Sequence, residues 1–545
     1  MQRSPWTQWI SSLVLIVGLW GVSSCQSQAN LERPKPLPQD PLIQVYFNHN
    51  QSQGSDYTEP YRNITRSGDN LEQILIDAIK AARSTIDIAV QEFRLPNVAK
   101  ALVEQAKRGV KVRIILENTY TTPISQSAQQ TIDNETEREA EKSEEYFAFV
   151  DVNQDGKLNS EEISDRDALV ILNQAKIPVI DDRDDGSKGS GLMHHKFMVI
   201  DNKIVMTGSM NFTPSDVHGD VTNLETRGND NNLLKINSAE IAQVFTEEFN
   251  LMWGDGVGGN FDSQFGVKKS MRSPQTLTVG NSRITVKFSP NSRQENWQNT
   301  SNGLIETTLN RATNSINLAL FVFSEQTLVD DLEKKHDQGV EIRALIDPEF
   351  VFRSYSEGLD MLGVALSDNC RYEPNNKPWL NPIDTVGIPN IPDGDKLHHK
   401  MAVIDQTIVI TGSHNWSEAA NHQNDETLLI IENPTIAAHY QREFDRLYST
   451  AQLGLPDFVQ KKIQKDTDNC PTFSTRKSSR HTDEIINLNT ATQAELESLP
   501  GIGEKTAQKI IEERQKKPFT SLDDLTRVSG IGEAKIKRLQ GKVTW

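Results

Sequence analysis

The chain has 545 residues, enough for about three or four domains with ample core. Its 75 acidic and 57 basic side chains give a net charge of -18, which argues against a protein coated in phosphate-binding basic surface. Half of the excess is local, because thirteen acidic residues face four basic ones between Asp133 and Asp167.

At the N-terminus, Met1-Gln2-Arg3 precedes a mostly apolar stretch from about Ile10 to Val22. That core is short for a membrane span, which wants about 20 residues, but right for a signal peptide. Val22-Ser23-Ser24-Cys25 resembles the bacterial lipoprotein cleavage box. The resemblance implies a signal peptide over 1–25, a lipidated Cys25, secretion across the inner membrane of a bacterium, and a lipid anchor on the periplasmic or cell-surface side. A plain signal peptide or an uncleaved anchor is the other reading. With Cys25 lipidated, only Cys370 and Cys470 remain to pair, and sequence settles neither connectivity nor geometry. Residues 26–41, with Pro34, Pro36, Pro38 and Pro41, read as a tether.

Two stretches then repeat each other. Ser84-Thr85-Ile86-Asp87-Ile88-Ala89-Val90 answers to Asn314-Ser315-Ile316-Asn317-Leu318-Ala319-Leu320, and Gly109-Val110-Lys111-Val112-Arg113 to Gly339-Val340-Glu341-Ile342-Arg343, at one constant offset. Apolar strands alternate with amphipathic helices such as Leu71 to Ala82 and Val98 to Arg108, an α/β pattern in two halves, 42–270 and 281–450.

The first half carries an insertion, placed at 134–172. Asp151-Val152-Asn153-Gln154-Asp155-Gly156-Lys157-Leu158-Asn159-Ser160-Glu161-Glu162 fits the D-x-[DN]-x-[DN]-G-x5-E calcium loop at every required place. Asp151, Asn153 and Asp155 offer side-chain oxygens, Lys157 its carbonyl, Asn159 a bridging water and Glu162 both carboxylate oxygens, while Gly156 permits the turn. Glu139 to Val150 enters as a helix with Tyr146, Phe147 and Phe149 on its apolar face, and Ser160 to Leu172 leaves as another. The segment resembles a single EF-hand holding structural or regulatory Ca2+; an acidic surface loop is the bland alternative.

Both halves then carry H-x-K-x4-D-x6-G-S-x-N. The first copy is His194, Lys196, Asp201, Gly208, Ser209 and Asn211; the second is His398, Lys400, Asp405, Gly412, Ser413 and Asn415. The apolar runs Phe197 to Ile200 and Met401 to Ile404 predict strands covered on both faces. Period two sets each histidine beside its lysine and turns His195 and His399 to the opposite side, so neither doublet can chelate one metal from a single strand. A neutral imidazole beside a fixed ammonium suits a phosphate: the nitrogen attacks while the cation stabilises oxygens gaining charge. Ser209 with Asn211, and Ser413 with Asn415, share faces and offer donors; Gly208 and Gly412 allow close backbone approach. Displacement at phosphorus needs one histidine unprotonated and the other protonated, hence two copies.

These motifs resemble those of the phospholipase D superfamily, over roughly residues 41 to 450. The resemblance implies a two-repeat phospholipase D-like fold, two α/β/α halves sharing one active site. It further implies metal-independent hydrolysis, His194 as nucleophile and His398 as acid/base, with the reverse order as the alternative, and a mainly structural role for the motif aspartates. Family members place an acidic residue downstream of each motif to orient the histidine. Here Glu426 serves the second half, while the matching place in the first falls on Asn231. Glu225 then substitutes, or His194 lacks a carboxylate partner.

From Leu455 to Glu484 the composition reads as a linker. Beyond it, in 485–545, Gly501-Ile502-Gly503 and Gly530-Ile531-Gly532 each open a helix, where bare amides attract phosphate, with Lys505 and Lys535 close by. The segment resembles the tandem helix-hairpin-helix domain of competence DNA receptors, a small all-α domain gripping DNA backbone without reading sequence. The leading expectation is a secreted, lipid-anchored phosphodiesterase cutting nucleic acid. The alternatives are a phospholipase D acting on membrane phospholipid headgroups and a DNA-binding receptor with inactive halves.

Overall fold

The computed structural model describes residues 33–127, 137–183, 191–368, 370–373, 376–469 and 486–545, except 492–495, 497–498, 500–501, 503, 529–530, 532–535, 537–538 and 540–542. Cys25, Cys470, Gly501, Gly503, Gly530, Gly532 and Lys535 therefore lie outside the described residues, as does the side chain of Lys505. Cys370 is disulfide-bonded. Among the described residues no helix is long and apolar enough to cross a membrane.

The chain divides into two compact units, 1–459 and 460–545. The larger holds two sheets. The first runs Ile43–Phe47, Asn232–Asn237, Ile204–Gly208, Lys196–Ile200, Thr85–Val90, Lys111–Leu116, Val179–Asp181. The second runs Gln275–Val279, Ser282–Phe288, Thr427–Glu432, Ile408–Gly412, Lys400–Ile404, Ser315–Leu320, Glu341–Ile346, Val386–Ile388, Gln452–Leu453. In each sheet the strand that begins at the motif lysine lies antiparallel to a strand (Thr85–Val90 or Ser315–Leu320) whose other neighbour is parallel. The repeat seen in the sequence is thus a repeat of topology.

Helix boundaries follow local chemistry. Asn70 caps Leu71–Ala81 by accepting from the Gln73 amide, and Pro96 starts Pro96–Lys107 where its missing N–H costs nothing. Gly109 and Gly339, at φ +93° and +89°, end equivalent helices in the left-handed region. Around the insertion, Glu137–Val150 enters the loop as expected, but the exit helix stops at Arg166 instead of running to Leu172. There Asp167 turns extended and its carboxylate caps a new helix, Ala168–Gln174, while also accepting from Ser125.

The core has a central layer between two outer ones. Phe197, Val199 and Leu234 of the first sheet share one cluster with Met401, Val403 and Leu429 of the second, together with Phe245 and Phe249 from Ala239–Trp253 and Tyr440 and Phe444 from Pro434–Tyr448. Separate clusters back each sheet on its other side. Burial on both faces explains the unbroken apolar runs after the motif lysines; each such side chain contributes about 1.5–3 kcal/mol.

Two boundary expectations change. The tether packs onto the body from Arg33 onward, where Arg33 pairs with Asp56 at 2.7 Å and the Gln53 amide donates to the Pro34 carbonyl. The expected linker begins as a helix, Asp457–Asn469. In the smaller unit, Leu488, Leu499, Ile510, Phe519, Leu525 and Leu539 form a core of its own, around Glu504–Lys516 and a short parallel pair, Ile486–Asn487 with Val543–Thr544.

Candidate active site at the junction of the two halves

The two halves are stitched by isolated parallel bridges, Met193 to Asp425 and Asp230 to Leu397. Each bridge delivers the residue after its aspartate to the histidine of the opposite half. Glu426 Oε2 lies 2.7 Å from His194 Nδ1, and Asn231 Oδ1 lies 2.9 Å from His398 Nδ1. The expected pairing within each half is therefore overturned: Glu426 supports His194, Asn231 supports His398, and it is His398 that has the neutral partner. Glu225 is exposed and takes no part. Spacing along one half could not reveal a partner that arrives from the other.

The orientation of Asn231 is fixed. Its Nδ2 donates to the carbonyl of Asp216 at 3.0 Å and that of Asn229 at 3.2 Å, so Oδ1 must face Ser209 and His398. An acceptor at that place leaves the His398 proton on Nδ1 and the titrating position on Nε2. The Glu426 carboxylate does the same for His194. Asp216, 3.7 Å from His398 Nδ1, is a carboxylate that the sequence reading missed. No periodic or duplicated signal marks it, because its contact depends on the loop after Asn211.

Lys196 and Lys400 donate from Nζ to the carbonyls of His194 at 3.0 Å and His398 at 2.7 Å. Burial pushes the Lys196 ammonium down to about 8, and burial followed by the nearby Lys196 charge holds Lys400 well below its usual range. Both catalytic-motif histidines are also held well below the ordinary imidazole value, first by burial and then by the lysines. Suppressed positive charge of this kind is relieved by an anion placed beside it. The halves differ beside the lysines: Lys196 reaches Gln91 Oε1 at 3.3 Å, whereas Lys400 lies 4.7 Å from the centre of the Phe321 ring, which also packs edge-on against His398.

The remaining motif residues divide into two groups. Ser209 and Ser413 are spent on the orienters, donating to Asn231 Oδ1 and Glu426 Oε2, both at 2.7 Å. Asn211 and Asn415 have buried Oδ1 atoms with no hydrogen-bond partner among the described residues. A side chain at Gly208 or Gly412 would strike the carbonyl of Asn232 or Thr427 near 2.2 Å, so the glycines allow strand contact. Asp201 and Asp405 are not at the site. They lie at the far ends of their strands, where φ is +53° and +47°, as first residues of tight turns closed by Lys203 to Ile200 and Thr407 to Ile404. Their carboxylates accept the amides entering the central strands, from Arg83, Ser84 and Thr85, and from Thr313, Asn314 and Ser315. Both stand in the scaffold of their strands and do not touch the site.

His195 and His399 point away from the site, to Glu248 at 3.4 Å and Glu443 at 3.3 Å. In the insertion, Gly156 has φ +76°, and the Asp151 carboxylate accepts from the amides of Asp155 and Gly156. Asn153 and Asp155 accept from Asp155 and Lys157, and Glu162 reaches back to the amides of Asn153 and Asn159. This all-oxygen loop suits a hard cation such as calcium. The entering helix touches the first half beside the site: Tyr146 donates to Glu92 Oε1 at 2.7 Å and Lys142 lies 3.6 Å from it.

A family model described as "Cardiolipin synthase, PLD-like domain" matches residues 75–253 and 305–448, and a helix-hairpin-helix motif matches 481–544. The mitochondrial cardiolipin hydrolase of Xenopus tropicalis is 30% identical over 157 residues, covering 28% of this chain and 64% of that protein. ComE operon protein 1 of Bacillus subtilis is 38% identical over 61 residues, 11% of this chain and 30% of that one. The chain thus spans less than two thirds of the length of these curated relatives. Among solved structures, the phosphatidylserine synthase of Haemophilus influenzae aligns with TM-score 0.46 and 12% identity over 80% of this chain and 95% of that one.

Proposed function

Because this chain belongs to the phospholipase D superfamily, with a C-terminal helix-hairpin-helix domain similar to that of competence DNA receptors, we propose that it is a phosphodiesterase acting on nucleic acid. The observation that carries the phosphodiesterase reading is the crossed support, His194 by Glu426 and His398 by Asn231. Nε2 of His194 attacks phosphorus, the bond to the leaving oxygen breaks, and His398, which takes up its Nε2 proton when the anionic phosphate binds, gives that oxygen the proton. A water then surrenders a proton to His398, its oxygen attacks phosphorus, and the P–N bond breaks.

The partners suit these roles. Attack makes the His194 ring cationic, and Glu426 compensates that charge. His398 has to part with a proton, which an amide partner holds less tightly than a carboxylate would. Lys196 and Lys400 stabilise the oxygens that gain charge.

The tail supports nucleic acid over lipid, since tandem hairpins serve to hold a phosphate backbone. The second reading, hydrolysis of phospholipid headgroups, draws support from the relatives named cardiolipin hydrolase. Export and a lipid anchor at Cys25 accord with either. The insertion binds calcium through Asp151, Asn153, Asp155, the Lys157 carbonyl and Glu162, a structural or regulatory ion that supplies charge to order the loop. Purified protein in chelator, given plasmid DNA in one reaction and cardiolipin or phosphatidylcholine vesicles in another, tests the choice. Nicking abolished by His194→Ala and by His398→Ala, and weakened DNA binding after removal of residues beyond Glu484, is the expected result. Lipid turnover with intact DNA overturns the nuclease reading.

A further inference from the structure

Behind each catalytic-motif histidine lies a sealed cluster of like design. In the first, His195, Glu248 and Asp425 bring ligand atoms within 4.8 Å of one another; in the second, His399, Glu443 and Asp230 do. These resemble metal sites, but each already contains a cation from the chain. Lys269 Nζ bonds Glu248 and lies 2.5 Å from Asp425 Oδ1, with both side chains fully buried. Arg446 donates to Glu443 at 2.7 Å and 2.9 Å and pairs with Asp230 through the same Nη2.

The clamped aspartates belong to the opposite half from the glutamates, and each immediately precedes an orienter, Glu426 or Asn231. Their carbonyls accept the amides of His194 at 2.9 Å and His398 at 3.1 Å. Asp425 is further pinned by the Gly266 amide, at 3.0 and 3.1 Å from its two oxygens. We propose that Lys269 and Arg446 are positioning residues: by locking Asp425 and Asp230 to the long helices of the opposite halves, they fix where Glu426 and Asn231 meet Nδ1 of the catalytic histidines. A neutral side chain at either place removes the cation that ties Asp425 to Glu248, which keeps Arg272 at 2.9 Å, or Asp230 to Glu443, and the bridge that carries the orienter must shift to relieve the buried aspartate. Displacement of about 1 Å at a reacting group costs up to about a hundredfold in rate.

This inference rests on the two-histidine reading above, so its test includes a measurement that needs no turnover. Nitrogen-15 histidine spectra of the full-length protein, with His194 assigned by His194→Asn, report which ring nitrogen carries the proton. The wild type holds it on Nδ1. Lys269→Met gives a mixture of tautomers and a kcat on bis(p-nitrophenyl) phosphate lowered about tenfold or more, with KM within about twofold. Arg446→Met lowers kcat similarly, and Arg446→Lys recovers most of the loss by restoring the charge. Should Lys269→Met not fold, Lys269→Met/Asp425→Asn removes one charge of each sign and is expected to fold with the same kcat loss. Folded variants with wild-type kcat and an unchanged His194 tautomer overturn the proposal. A wild type inert on every phosphodiester overturns the functional reading instead, and the tautomer spectra still decide this one.

Discussion

Glu426 belongs to the second half of the chain, yet its Oε2 lies 2.7 Å from Nδ1 of His194 in the first. The same oxygen accepts from Ser413 at 2.7 Å, which fixes the carboxylate in place. Glu426→Gln keeps the shape but offers an amide that stabilises the cationic ring poorly. Its kcat is expected to fall about 10²- to 10⁴-fold with little change in melting temperature. Single-turnover trapping of the phosphohistidine checks whether its formation is the step that slows.

Asn231→Asp places a carboxylate on His398 as well, raising its proton affinity. The alkaline limb of kcat should then move to higher pH, while the rate on the plateau falls because the proton is released less readily. A pH–rate profile with an unmoved limb contradicts the assignment of His398 as the acid.

Lys196 titrates near 8 in the folded protein through burial, against an ordinary value of 10.5. Between those values the unfolded chain holds the proton and the folded one does not, so the contribution of Lys196 to stability rises with pH across that window. An anion in the pocket reverses this by favouring the ammonium. Binding of inorganic phosphate or tungstate at pH 9 is therefore expected to take up protons, seen by calorimetry in buffers of different ionisation enthalpy. Lys196→Met lowers the uptake, and the remainder belongs to Lys400, whose ammonium burial also suppresses.

Asp201 and Asp405 hold the chain that enters the central strands and stand at the far ends of the motif strands. Asp405→Ala is expected to cost about 2–3 kcal/mol in denaturant unfolding, since three backbone amides lose an ionised acceptor. At temperatures where the variant stays folded, kcat should stay close to wild type. A large kcat loss in a folded Asp405→Ala contradicts the scaffold role.

Calcium should raise the melting temperature, by the equivalent of about 2.7 kcal/mol at a hundred times Kd. Asp151→Ala and Glu162→Ala should each abolish the shift. Because Tyr146 at the end of the entering helix reaches Glu92, Tyr146→Phe tests whether the loop communicates with the first half. An unchanged melting temperature in millimolar calcium contradicts the calcium reading.

Much of this protein is written in short-range pattern. Period two alone separates His194 from His195, and both faces of the following strand are apolar because both are covered. The turn after that strand needs a left-handed residue, a conformation that aspartate adopts more readily than most side chains. These are local constraints, and a sequence states them. The crossing of Glu426 to His194 and of Asn231 to His398 is different in kind. It arises where Met193 and Leu397 pair with Asp425 and Asp230, contacts between segments 232 and 167 residues apart that only the packing of one half on the other creates. For the same reason Asp216, Lys269 and Arg446 carry no signal in the chain: each matters through what it touches after folding, and a buried charge declares its role only when its partner is in place.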